Sequence, residues 1–201
     1  MSVMSLLLLH GWGFDAGLWG GLCDALPDFP AICWDRGYFD APAQPAIDPP
    51  FIAIGHSLGA LVLAGHLPPE TALVAINGFD RFTGDGAVPP RVVARMRARF
   101  RERPAAVLND FRARCGAAPV AGRIYEDRLS ADLGLLATHC AAPTRRRMLV
   151  LQGGNDPILP PALRASAYPD AARATHAAAG HLLPLTHAAW CAEQIRAFAC
   201  A

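Results

Sequence analysis

Two kinds of apolar run alternate along this chain, and their lengths tell them apart. Residues 5–9, 31–34, 51–54, 72–76 and 148–151 are short runs of mostly Leu, Ile, Val and Ala, the pattern of strands buried on both faces. Residues 174–178 predict a last, weaker strand. Longer stretches with apolar positions at helical spacing fall between them: residues 15–26, ended by Pro27, the segment beginning at Leu58, residues 161–167 and residues 187–199. Strand, helix and strand in that rhythm imply an α/β fold, a doubly wound and mostly parallel sheet. One crossover is cut short, because prolines at 42, 45, 49 and 50 forbid a long helix there.

After Asp80 the rhythm changes. From Pro89 to about His139 no strand pattern recurs; Val92, Val93, Met96, Phe100, Val107, Leu108 and Phe111 stand at helical intervals among arginines. This predicts amphipathic helices broken at Pro104, inserted as a lid over about residues 80–140 of a single domain spanning 1–201.

Charge sharpens that picture. Every one of the 18 basic residues is arginine, and the net charge of +1 conceals a division along the chain. Residues 1–90 carry nine acids against Arg36 and Arg81, whereas residues 91–147 carry thirteen arginines against five acids. Arg91, Arg95, Arg99 and Arg103 recur every fourth residue and would form one helix stripe. The opening apolar run is too short for a membrane span and lacks a basic leader, so a cytoplasmic protein with no membrane association is expected. The six cysteines form no C-x-x-C pair or metal-ligand spacing and read as reduced packing residues. No stacking motif or reading module accompanies the arginines, which argues against nucleic acid.

The candidate chemistry centres on Gly55-His56-Ser57-Leu58-Gly59, set between a strand and a helix. The glycines permit a sharp turn that lifts the Ser57 hydroxyl out at the carboxyl edge of the sheet, next to the positive end of the following helix. His10-Gly11-Trp12-Gly13 ends the first strand in another tight turn. The backbone N–H groups of Trp12 and Leu58 can then face one point, as an oxyanion hole requires. A serine nucleophile needs a base, and the base needs a carboxylate to orient it. In a sheet of this type the chain order is Ser, acid, His, which Ser57, Asp156 and His181 satisfy. Asp156 lies in a glycine turn stiffened by prolines, and Asp80, also after a strand at the same edge, is its rival. Asp132 and Asp170 read as solvated. Of the other histidines, His10 belongs to the oxyanion turn, His56 neighbours the nucleophile but points elsewhere on the elbow, and His66, His139, His176 and His187 lie on helices, a lid or a strand; each reads as a surface or packing residue. No metal or organic cofactor is called for.

Together LLLLHGWGFDAGLW, GHSLG, QGGNDPILP and AAAGHLLPL resemble the α/β-hydrolase superfamily, from Ser5 to the carboxyl end. Within it, the HGWG turn with Trp19 nearby and the run AINGFDRFTGDGAVPP before a basic helical segment look like a compact form of the pimeloyl-[acyl-carrier protein] methyl ester esterases of biotin synthesis. The resemblance implies a carboxylesterase with Ser57 as nucleophile, Asp156 and His181 as its partners and Trp12 and Leu58 as oxyanion donors. His56 departs from it, since tryptophan usually precedes the serine in those esterases and histidine is commoner in general lipases and thioesterases. An acidic acyl-carrier protein would suit the arginine stripe, whose simpler reading is the solvated face of a lid helix. A thioesterase or broad short-chain esterase with the same triad is the alternative, and a silent fold that only binds an acyl ligand or carrier is a third possibility.

Overall fold

A computed structural model describes residues 4–142 and 146–200. Six strands form one parallel sheet in the order β2-β1-β3-β4-β5-β6, with β1 at Ser5–Leu9, β2 at Ala31–Trp34, β3 at Phe51–His56, β4 at Leu73–Ile76, β5 at Met148–Gly153 and β6 at Ala172–His176. The short apolar runs became strands because parallel pairing needs cover on both faces: Leu6–Leu9, Ile52–Ile54, Leu73–Ile76 and Leu149–Leu151 are all buried. The outer strands differ. Most of β6 and the start of β2 are partly or fully exposed, as befits sheet edges.

The helices are α1 (Gly20–Ala25), α2 (Leu58–His66), α3 (Pro90–Glu102), α4 (Pro104–Cys115), α5 (Glu126–Thr138), α6 (Pro161–Ser166), α7 (Leu183–Thr186) and α8 (Ala188–Cys200). α2 lies against β1, β3 and β4, α1 packs on α8, and α3 packs on both α4 and α5. Three helices thus intervene between β4 and β5, with Pro104 opening α4 after a break at Arg103. Between β2 and β3 there is no helix, in keeping with the prolines.

Two expectations need correction. The helix expected over residues 15–26 is a 3-10 turn, Ala16–Trp19, followed by the short α1; Gly17, Gly20 and Gly21 weaken a continuous helix, and the Asp15 carboxylate caps the Gly17 N–H at 2.9 Å. The last strand begins two residues earlier than expected, because an alanine-rich run carries no side-chain pattern to set its register. Pairing with β5 sets it instead, from Leu149 opposite Ala172 to Gly153 opposite His176.

The chain runs from β1 outward to β2 and then crosses back to β3 on the other side of β1. The carboxyl ends of β1 and β3 therefore flank the point where strand order reverses, where doubly wound sheets place their ligands. Ser57 follows one of these ends and the turn of residues 10–13 follows the other.

Candidate active site

Ser57 sits between β3 and α2 at φ 52°, ψ −120°, a strained conformation for a residue with a side chain. Both flanking glycines are sterically necessary. A Cβ on Gly55 would stand 2.4 Å from the Ala60 backbone, and one on Gly59 only 2.1 Å from the Leu9 carbonyl oxygen. The elbow is pressed against the first turn as well, since a Cβ on Gly11 would lie 3.0 Å from the Ser57 Cβ. Gly11, the residue before Trp12, is thus held against Ser57, and Leu58, first residue of α2, has an N–H that precedes the helix's own bonding.

On the loops after β5 and β6, Asp156 Oδ2 and His181 Nδ1 are 2.8 Å apart, and both side chains are fully buried. The other carboxylate oxygen of Asp156 accepts from the Ile158 and Leu159 N–H groups at 2.7 and 3.2 Å. Burial pushes the Asp156 carboxyl up, but the His181 imidazole and these N–H donors outweigh it and hold the carboxyl below the usual range. Asp80, the rival acid, accepts from the Arg81 N–H and has no bond to His181. His181 Nε2 is buried and has no hydrogen-bond partner, so a bond from the Ser57 hydroxyl is not made here.

Close approach of two loops brings Asp156 and His181 together. Asn155 N–H donates to Ala179 O and Gly154 N–H to His176 O, each at 2.9 Å. A Cβ on Gly153 would fall 2.3 Å from Gly180 O, and one on Gly154 would fall 2.5 Å from Ala177 O. Only glycine lets these backbones meet so closely.

Two further polar residues are buried here. His56 turns toward the histidine loop: its Nε2 donates to the His181 carbonyl at 2.9 Å, and the two rings pack with centroids 4.8 Å apart. Burial and the neighbouring His181 push the His56 imidazole down to about 3. Asp132 is not solvated but buried on α5, where its carboxylate accepts two bonds from the Arg36 guanidinium and one from the Tyr38 hydroxyl. No sequence motif marks Asn77. It follows β4 at φ 45°, and its side chain bonds Gly180 O, His181 O and the Gly153 N–H. Asparagine tolerates that left-handed conformation, the one hint its sequence position offered.

The helical insertion roofs the site. Phe111 of α4 meets the Trp12 ring edge-on at 5.0 Å and the His181 ring at 6.4 Å, and the Arg112 guanidinium donates to Gly13 O at 2.7 Å. Between α3 and α4 lies a groove of about 540 Å³, lined by Arg91, Arg95, Arg99 and Arg114 around Met96 and Phe111, with Asp110 pairing Arg99 at 3.3 Å. Arg103 leaves the stripe, because it sits at the α3–α4 junction outside the helix. Arg145 of the basic block lies outside the described residues. Another cavity, of about 610 Å³, borders the starts of β3 and β4 near Pro49, His66 and Ala72, away from Ser57. Among the described residues no cluster of three or more His, Cys, Asp or Glu is placed to hold a metal, and no helix is long and apolar enough to cross a membrane.

This is the α/β-hydrolase fold: a six-stranded parallel sheet with a helical insertion after β4. No protein-family model matches the chain, and no curated protein does. Solved structures do. An esterase from Exiguobacterium antarcticum matches with a TM-score of 0.77 and 13% identity, over 100% of this chain and 93% of the other. The enol-lactonase of Burkholderia xenovorans LB400 matches at 0.75 and 16%, over 100% and 93%. A thermophilic esterase from Thermogutta terrifontis matches at 0.72 and 18%, over 98% and 89%.

Proposed function

We propose that this protein hydrolyses carboxylic esters through an acyl-enzyme on Ser57. The observation that carries the reading is the buried His181–Asp156 pair, whose imidazole packs 4.8 Å from the ring of His56, the residue before the strained Ser57, and keeps its own Nε2 without a partner. In the reaction His181 Nε2 takes the Ser57 proton as Oγ attacks the ester carbonyl, and the oxyanion draws on the Trp12 and Leu58 N–H groups. The imidazolium then gives its proton to the leaving alcohol, which departs. Water, deprotonated by the same nitrogen, attacks the acyl-serine and releases the acid and free Ser57. The bond from Ser57 to Nε2 forms when substrate binds, as catalytic hydrogen bonds often tighten only in the complex. Two of the matching structures are named esterases and one an enol-lactonase, in keeping with attack on an acyl carbon, while others are named epoxide hydrolase and bromoperoxidase.

The substrate we propose is the methyl ester of an acyl chain borne by acyl-carrier protein, as in the pimeloyl ester of biotin synthesis. The motif resemblance and the arginine-lined groove between α3 and α4 support it: acidic carrier surfaces complement Arg91, Arg95 and Arg99, and Phe111 leads from that groove to His181. His56 favours a second reading, a thioesterase with the same triad. The deciding experiment assays the purified chain on an acyl-carrier-protein methyl ester against the matching thioester, with Ser57→Ala as control. Turnover that survives in the control rejects the nucleophile, and preference for the thioester rejects the methyl ester.

A further inference from the structure

His56 ends β3, and Asn77 follows the end of its neighbour β4, where His56 is paired with Ile76. From these adjacent strand ends both side chains aim a donor at one acceptor, the backbone oxygen of His181, at 2.9 Å from His56 Nε2 and 2.8 Å from Asn77 Nδ2. A carbonyl only accepts, so Nε2 of His56 carries the proton. Nδ1 does not, and it is buried with no partner. The two donors fill both lone pairs of that oxygen. Asn77 also bonds Gly180 O at 3.0 Å and accepts the Gly153 N–H at 2.8 Å, tying the histidine loop to the loop that bears Asp156. The loop holding His181 thus hangs from the middle of the sheet, not only from the edge strand β6 that precedes it.

We propose that His56 is a positioning residue for the His181 imidazole, fixing the peptide from which that ring projects, with Asn77 as the second donor. The inference rests on the reading of Ser57, Asp156 and His181 as the reacting groups. Its logic is electrostatic as well as geometric. The ring of His56 lies against the ring that becomes a cation during the reaction. A neutral donor there holds the loop without opposing that charge, and burial keeps His56 neutral far below neutral pH.

The test compares His56→Leu, which removes the donor, with His56→Gln, whose amide nitrogen reaches the place of Nε2. Hydrolysis of p-nitrophenyl acetate should show kcat lowered on the order of 100-fold in His56→Leu with KM little changed, and largely restored in His56→Gln. Covalent labelling of Ser57 by a fluorophosphonate should slow in parallel. A wild-type kcat in a folded His56→Leu protein, or a His56→Gln protein no better than it, would overturn the proposal. Should His56→Leu fail to fold, His56→Asn takes its place, being polar but one bond too short. A further readout is independent of turnover: the far-downfield proton of His181 Nδ1, followed by NMR. It should persist in His56→Gln and broaden or vanish in the donor-less variant, and an unchanged signal in both would count against positioning. An inert wild-type chain with that pattern of signals would refute the esterase reading while leaving the positioning of His181 intact.

Discussion

Acid should destabilise this protein through His56, and the size of the effect can be worked from the site. The imidazole has no exposed surface, and burial, helped by the neighbouring His181, lowers it from 6.5 to about 3. A base whose folded value is depressed is neutral in the native state at pH values where the unfolded chain already binds its proton. Stability from this group is therefore complete above about pH 6.5 and is lost steadily as pH falls toward about 3. Across that window the unfolded state holds one more proton, so the slope approaches about 1.4 kcal/mol per pH unit, and the whole loss is about 5 kcal/mol. That is a large part of the stability of an ordinary domain. Urea unfolding between about pH 7 and pH 4.5 measures it, with His56→Gln as reference because glutamine does not titrate. Asp156, whose depressed carboxyl also loses its contribution on acidification, is present in both proteins and cancels in the difference. The wild-type curve should fall more steeply by close to one proton. Parallel curves would mean that His56 is solvated or already protonated in the native state, and the argument from its burial would fail.

Removing the buried carboxylate of Asp132 leaves the Arg36 guanidinium and Tyr38 hydroxyl without their acceptor, so Asp132→Ala should lose about 3 kcal/mol in urea unfolding, and a loss near zero would show the network is solvated. Glycine substitutions should divide sharply: Gly59→Ala, with its Cβ 2.1 Å from Leu9 O, should yield no stably folded protein, whereas Gly134→Ala on α5, with open space around it, should raise stability by about 1 kcal/mol in thermal melts. If the α3 groove receives an acidic carrier protein, Arg95→Glu with Arg99→Glu should raise KM for the carrier-bound ester severalfold and leave p-nitrophenyl acetate untouched. Equal effects on the two substrates would argue against docking.

Where the sequence was legible, a local rule and the tertiary demand coincided. A buried parallel strand must be apolar along its length, so β1, β3, β4 and β5 stand out as short runs. The elbow at Ser57 was readable because only glycine fits at 55 and 59. The polar residues inside the protein were not readable in this way. Nothing local distinguishes a solvated aspartate from Asp132, whose partners Arg36 and Tyr38 lie more than ninety residues away. His56 and Asn77 were obscure for the same reason, since their common acceptor is a backbone oxygen over a hundred residues downstream. Backbone acceptors leave no trace in side-chain pattern. The alanine-rich β6 shows the converse problem, a real strand whose register the chain itself does not encode.

The inserted helices divide into two roles by how they are tied to the first turn. α5 is bound into it: the Trp12 indole donates to Leu129 O at 2.8 Å, and Asp132 holds Arg36, whose backbone N–H in turn donates to His10 Nε2 at 3.0 Å. His10 therefore carries its proton on Nδ1 and gives it to Gly11 O at 2.9 Å, beside the proposed oxyanion donor Trp12. Moving α5 would disrupt buried charge-assisted bonds and the turn together. α4 meets the turn mainly through apolar packing, with buried Leu108 beside Gly13 and Phe111 against Trp12 and His181, joined by the Arg112 bond to Gly13 O and the exposed Arg114 contact with Pro157 O. The turn that carries the proposed oxyanion donor Trp12 is thus held by both inserted helices, by α5 chiefly through polar bonds and by α4 chiefly through apolar packing.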